Sequence, residues 1–374
     1  MTQYLNLDLL QKSLSNKKKV LFLADTFQRA GTIKDHIESI NNYSSHKIFT
    51  ANPRRCFRNP KILFKDFKFD SIIIHYSICI LFENFLSNEW KEFLINFRGN
   101  KILIIQDEYR WIKQINFMIH KLGIKVIFSS LSQNNAKNVY SKNLDFLDKI
   151  VTTLPGYVTD KFIRNYKSKV PFSLRPNDIF YRGRNLPITT GIVSKEKSFI
   201  GELVKRKTKN LNLDISSRDE DRLYGPNWQL LNKLSKATLA TEGGASIYDF
   251  DGNLIDKLQD FMNEKKTNRE SLFYKKYLAK LEGNIIHRIL TPRIFEAIST
   301  ATVLILFPGK WSNLLMPYKH YIPLERDGSN IKEVQSYLKN NDLLEFISHT
   351  CFKEILLNKK NHFKYYVRAI DNCC

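Results

Sequence analysis

Two short segments in the C-terminal half carry the residue types that anion and hydroxyl recognition needs. Thr238–Ser246 runs from an apolar stretch into Glu242-Gly243-Gly244-Ala245-Ser246, and Thr291–Ile298 brings Arg293 and Glu296 to the start of a helix, ahead of the apolar run Val303–Phe307. A carboxylate accepts hydrogen bonds from two neighbouring hydroxyls, glycines let backbone N–H groups approach a phosphate, and a helix start turns positive potential towards an anion. Arg182 and Arg184 flank Gly183 after another apolar run, and guanidinium forks suit diphosphates. In the N-terminal half, Asp25, His75, Asp107 and Glu108 follow apolar runs of strand length. Each is placed to take a proton from a hydroxyl, and each acid could equally cap the next helix.

The elements that must position these groups alternate. Val20–Ala24, Ser71–Ile74, Lys101–Ile105, Lys125–Phe128 and Lys149–Thr152 read as buried strands, separated by segments of helical spacing such as Ile33–Ile40. Continuous apolar strands between helices indicate a parallel sheet covered on both faces. Breaks at Leu154-Pro155-Gly156 and Pro171–Pro176 enclose a polar, Lys-rich segment that reads as a linker. A second α/β series follows, through Asp178–Tyr181, Leu211–Ile215, Ala237–Ala240 and Val303–Phe307. Leu343–Ile370 has helical periodicity with a basic face containing Lys353, Lys359, Lys360, Lys364 and Arg368. Ligands in such open sheets bind outside the carboxyl ends of the strands.

The Glu242-Gly243-Gly244 turn and the Phe295-Glu296-Ala297 helix start resemble the donor-sugar site of two-domain (GT-B) glycosyltransferases, with Ile247–Ile289 as an insertion between them. Residues 178–345 resemble a narrower bacterial group, the surface-polysaccharide and spore-maturation-type glycosyltransferase-like proteins, through Glu242–Gly252, Pro292–Ala297 and His320–Leu324. The resemblance implies two Rossmann-like domains facing a central cleft: residues 1–170 for the acceptor, 171–345 for the donor, and 346–374 as a C-terminal helix packing back on the N-terminal domain. It implies a nucleotide-sugar donor bound by Arg182, Arg184, Glu242, Gly243, Gly244, Ser246, Arg293 and Glu296, and a glycan or lipid-linked acceptor of cell-surface polysaccharide synthesis. His75, Asp107 and Glu108 are the catalytic candidates. No cofactor or metal is expected, and Asp249-Phe250-Asp251 reads as a turn rather than a metal-binding Asp-x-Asp.

Composition bounds the alternatives. The 374 residues are 43% hydrophobic with a net charge of +22, which favours a polyanionic partner. A nucleic-acid-binding protein is therefore one alternative, although no nucleic-acid motif accompanies the charge and no nucleic-acid partner is expected. A sugar-nucleotide epimerase or hydrolase on the same fold is another. Pro53–Lys65 interleaves basic and aromatic residues and suits an anionic bilayer, a lipid diphosphate or nucleic acid. Five scattered cysteines without metal spacing fit a reducing compartment. Met1–Ser15 does not read as a signal peptide, so the expected location is cytoplasmic, with contact to the inner membrane surface through a basic amphipathic C-terminal helix as a variant.

Overall fold

The apolar runs become the strands of two parallel sheets. The computed structural model describes residues 17–56, 59–265 and 269–374; the leader reading of Met1–Ser15 and the Phe57-Arg58 part of the basic–aromatic segment lie outside them. The first sheet contains β1 (Lys19–Leu23), β2 (Lys47–Ala51), β3 (Ser71–Ile74), β4 (Asn100–Ile105), β5 (Val126–Ser129) and β6 (Lys149–Thr152), in the order β2-β1-β3-β4-β5-β6. The second contains β7 (Asn177–Arg182), β8 (Leu213–Ser216), β9 (Ser235–Ala240), β12 (Val303–Leu306) and β13 (Ile322–Pro323), in the order β13-β12-β9-β7-β8. All pairings in both sheets are parallel. Each sheet reverses its winding once, between β1 and β3 in the first and between β7 and β9 in the second. A crevice opens at such a switch point.

β10 (Gly243–Ala245) and β11 (His287–Ile289) form a separate antiparallel ribbon. The chain between them folds into helices with a small core of their own, built from Ile247, Leu254, Leu258, Phe261, Phe273 and Leu278. Asp249 is consumed by this excursion. Its two carboxylate oxygens accept from the amides of Gly252 and Leu254, both at 2.8 Å, while Asp251 pairs with Lys113 at 2.5 Å.

Two expectations change. The segment read as a linker is largely the helix Asp160–Lys167, capped by the Thr159 hydroxyl. Phe162 and Tyr166, one turn apart, are buried in the core of the second sheet, and Tyr166 stacks on Phe352 at 4.1 Å. The lysines around them hid a two-residue apolar stripe. The long C-terminal helix is also broken, into Asn341–Cys351, a π-turn at Phe352–Leu356, and Phe363–Asp371. Between the pieces, Asn358 caps a short turn, and the Val158 amide and carbonyl bond to Asn361 and Phe363.

The last helix crosses back to the N-terminal domain. Phe363, Tyr366, Val367 and Ile370 are buried in a core shared with β1, β4 and the helix Gly31–Tyr43. Each such side chain contributes roughly 1.5–3 kcal/mol. The helix spends its apolar face inside the protein, and no helix among the described residues is long and apolar enough to cross a membrane. At the centre of this contact lies His36, its ring 5.3 Å from Phe363 and 5.0 Å from Tyr366, with Nδ1 3.1 Å from Nε2 of His75.

Burial holds His36 neutral down to about pH 3 and pushes His75 well below its ordinary value, His36 adding to the latter. The unfolded chain takes up protons on both rings below about pH 6.5, and the folded chain does not, so stability is full above that pH and is lost as the pH falls. As pH falls from 7.5 to 5, the melting temperature of His36→Phe should therefore rise relative to that of the wild type, because the variant lacks one of the two rings that must charge on unfolding.

Candidate active site

The carboxyl ends of both sheets open on one cleft of about 710 Å³. The N-terminal domain supplies the turn after β1 (Gln28 and Ala30–Ile33), Tyr76 and Ser77 after β3, and Gln106 and Asp107 after β4. The C-terminal domain supplies Arg184 after β7, Thr241 after β9, Lys197, the 222–228 segment, and Thr291–Arg293 with Glu296. Both winding reversals thus face the same space.

Cations converge on its C-terminal wall without matching anions. Arg184 and Lys197 make no side-chain hydrogen bond or ion pair with any described residue. Lys197 stands on the helix Ile192–Lys207, whose approach to β7 is fixed by the Tyr181 hydroxyl donating to the Lys197 carbonyl at 2.7 Å. A Cβ on Gly183 would collide with that same carbonyl. Crowding by protein lowers the Lys197 pKa; Asp107 opposes this, and Arg293 and Arg184 reinforce it. Arg293 donates to the Arg182 carbonyl at 2.6 Å and lies 4.8 Å from the Trp228 ring centre. The opposite wall adds the start of Gly31–Tyr43, whose N-cap residue, Ala30, offers no side-chain cap. Its first amides open on the cleft, where a helix start favours an anion.

Glu296 lies deep in this cleft, 8% exposed. Burial pushes its carboxyl up to about 7; Arg293 opposes this and Asp35 adds to it. The Trp228 indole favours its ionised form, yet the buried N–H has no acceptor within hydrogen-bond distance. The Trp228 N–H and the Glu296 carboxylate thus stand side by side without a close hydrogen bond, and of the two only the carboxylate has room for a ligand hydroxyl in the cleft.

Asp107 sits where the main cleft meets a side pocket of about 140 Å³, walled by Gly243, Gly244, His287 and Ser130. Its backbone is left-handed (φ 62°), a conformation costly for a residue with a Cβ and one that clusters at functional sites. Its side chain is exposed to the cleft. Surrounding protein raises its pKa, while Lys197 and Arg184 pull it down.

The other candidates do not line the main cleft. Glu108 is 2% exposed and accepts from the hydroxyls of Ser129 and of Tyr140, the latter at 2.9 Å; burial pushes it up to about 7. It stands in the wall of the side pocket beside Asp107. His75 has both ring nitrogens engaged, by Ser77 and His36, and lies outside the cleft. Asp25 is enclosed by hydrogen-bond donors. Arg182 is locked between strands, paired with Asp214 at 2.7 Å and donating to the carbonyls of Asp221, Tyr181 and Asp214. Glu242 turns away to accept from the Trp311 amide at 2.8 Å. The Ser246 hydroxyl accepts from Val193 N–H at 3.2 Å and so caps the Lys197 helix. Gly243 and Gly244 border the side pocket rather than the main cleft.

The structure therefore brings together Arg184, Arg293, Glu296 and Asp107. It adds Lys197, Trp228 and the uncapped Gly31 helix, which the sequence reading did not single out. Only the Ala30-Gly31-Thr32 helix start carried a visible signal, a turn without a capping side chain.

No protein-family model matches the chain, and no curated protein matches it. Solved structures do. An alpha-glucosyltransferase in complex with UDP and a 13-mer DNA containing a HMU base is 9% identical, with 96% of this chain and 99% of that one aligned and a TM-score of 0.56. An alpha-glucosyltransferase in complex with UDP-glucose and DNA containing an abasic site is 10% identical over the same shares, with a TM-score of 0.54. The likeness is one of fold, two Rossmann-like domains across a cleft in the GT-B architecture.

Glu296 yields a direct stability test. A carboxyl whose pKa rises on folding is most stabilising below its unfolded value, about 4.5, and loses that advantage as pH rises through 7. Glu296→Gln removes the loss. The variant should be more stable than wild type by about 1–3 kcal/mol at pH 8 and close to it at pH 4.5, measured by denaturant unfolding.

Proposed function

We propose that the protein is a glycosyltransferase that takes a sugar from a nucleotide-activated donor. The observation that carries this reading is the excess of cations over carboxylates, with Arg184, Lys197 and Arg293 facing an uncapped helix start across a cleft at two winding reversals. A diphosphate supplies the missing negative charge. The neighbouring Glu296 carboxylate suits ribose hydroxyls, and the side pocket beside Asp107 suits a single sugar ring.

The chemistry follows from this placement. An acceptor hydroxyl attacks the anomeric carbon, a new C–O bond forms, and the bond to the diphosphate oxygen breaks. The bonding electrons leave with the diphosphate, whose growing charge is met by the three cations and the helix amides. Asp107, at the junction of cleft and side pocket, takes the hydroxyl proton. The surrounding protein raises its pKa, which makes it a stronger base than an ordinary carboxylate, and Lys197 and Arg184 favour the ionised form that accepts the proton. An epimerase would use the same donor groups without an acceptor, and a hydrolase would use them with water as the acceptor.

Two acceptor readings have support. The sequence resemblance favours a glycan or lipid-linked acceptor of cell-surface polysaccharide synthesis, met at the inner membrane surface. The net charge of +22, together with the DNA held in the two similar structures, favours a nucleic acid.

A panel of nucleotides and nucleotide sugars tests the donor half. At least one should raise the melting temperature of the wild type. Lys197→Ala and Arg293→Ala should each weaken its binding by roughly 10- to 100-fold. A panel with no effect on the wild type would remove the reading. Once a donor and acceptor pair turns over, Asp107→Asn should lower kcat by roughly 10²–10⁴-fold while donor affinity stays within a few-fold; unchanged turnover would reassign the proton.

A further inference from the structure

The N-terminal rim of the cleft is built by the loops after β1 and β2, and one buried carboxylate ties them together. Asp25 accepts from the Phe27 amide at 3.2 Å, Gln28 Nε2 at 2.7 Å, Asn52 Nδ2 at 3.0 Å and Arg54 at 2.6 Å. Burial raises its pKa, but these bonds and the Arg54 charge outweigh that and hold it below the usual range. The clamp leaves Phe27 standing out of the rim, 71% exposed. The Arg55 guanidinium lies over its ring, 5.4 Å from the centre. Arg29, in the same loop, and Arg55 are exposed and form no hydrogen bond or ion pair with any described residue. On the facing rim, Arg222 lies 5.7 Å from the ring centre of Tyr224, which is 42% exposed.

A lone exposed phenylalanine is ordinary. This one is fixed by a four-donor carboxylate, backed by a guanidinium, and set between unpaired cations at the mouth of a cationic cleft. Aromatic faces stack on any base, and arginine both stacks and binds phosphate. We infer that Phe27 and Arg55 form a stacking platform for an unpaired base of a single-stranded nucleic acid, with Arg29 meeting an adjoining phosphate. This inference rests on the sugar-transfer reading and assigns its acceptor class. A bilayer is the poorer match, because a flat anionic surface cannot follow a rim that leads into a cleft. A neutral glycan could stack on the ring but has no use for the arginines.

The test is fluorescence anisotropy with a labelled 12-mer single-stranded DNA at several salt concentrations. Vesicles of anionic phospholipid and a nucleotide-sugar thermal shift run in parallel. The wild type should bind the oligonucleotide with a steep salt dependence. Phe27→Ala should weaken binding roughly 5- to 150-fold with an unchanged salt slope, and Phe27→Trp should restore it. Arg29→Ala should weaken binding and reduce the slope by about one. Oligonucleotide binding that is absent, or insensitive to Phe27, overturns the inference, as does Phe27-dependent binding to vesicles alone. The nucleotide-sugar shift reports on the donor separately. If it persists while oligonucleotide binding fails, only the acceptor assignment falls; if it is absent in the wild type, the transfer reading falls instead.

Discussion

Holding Arg184, Lys197 and Arg293 together with too little negative charge is the constraint on which the rest of the cleft depends. Like charges at close range repel, and the depressed Lys197 pKa records that cost alongside burial. Contacts made elsewhere keep the group in place. Arg293 is held by the Arg182 carbonyl and the Trp228 face, and Lys197 rides on a helix pinned at the Tyr181 hydroxyl and the Ser246 cap. Arg182, Ser246 and Gly183 thus serve the site without facing it. A fold that spends contacts on maintaining an electrostatic imbalance is pre-organised for an anion, because nothing need reorganise when one arrives.

The sheets were legible because parallel strands buried on both faces leave continuous apolar runs, and Ser71–Ile74 and Val303–Leu306 fall where those runs lie. β2 was not read: Lys47–Ala51 is an edge strand, partly exposed along its length. The Asp160–Lys167 helix was taken for a linker because only Phe162 and Tyr166 mark its inner face. The candidate site was legible where a residue sits at a strand end or helix start and lines the cleft, as with Arg184, Arg293, Glu296 and Asp107. It was misleading where a partner distant in sequence claims the side chain. Asp214 claims Arg182, Trp311 claims Glu242, and His36 claims His75. Lys197 gave no signal, since a lysine within a helix reads as solvated until the fold turns it into a cleft.

The charge has two layers. The chain has 41 lysines and 18 arginines, a ratio that an AT-rich coding bias would produce without any function. The cleft inverts it, with Arg54, Arg184, Arg222 and Arg293 against Lys197 alone. Codon bias acts on every position alike and cannot concentrate the minority cation in one place. The guanidinium is the group that forks onto phosphate and stacks on rings, and three of these four arginines lie over an aromatic face: Phe85, Tyr224 and Trp228.

The surrounding protein raises the pKa of both carboxylates that remain in the cleft, but their charged neighbours differ. Asp107 is exposed to the cleft, with Lys197 and Arg184 favouring its charge. Glu296 is buried, with the N-terminal domain pressing on it: Asp35 disfavours its charge, and a Cβ on Gly31 would lie 3.9 Å from its Oε1. Glu296 belongs to one domain, and both of those neighbours belong to the other. The ionisation of Glu296 is therefore coupled to how closely the domains approach. A ligand hydroxyl donating to Glu296 favours the carboxylate and lowers the cost of holding it against Asp35. Through this one side chain, a ligand that favours the carboxylate and a domain approach that disfavours it oppose each other, whereas a ligand that accepts the proton of the neutral carboxyl and domain approach stabilise each other.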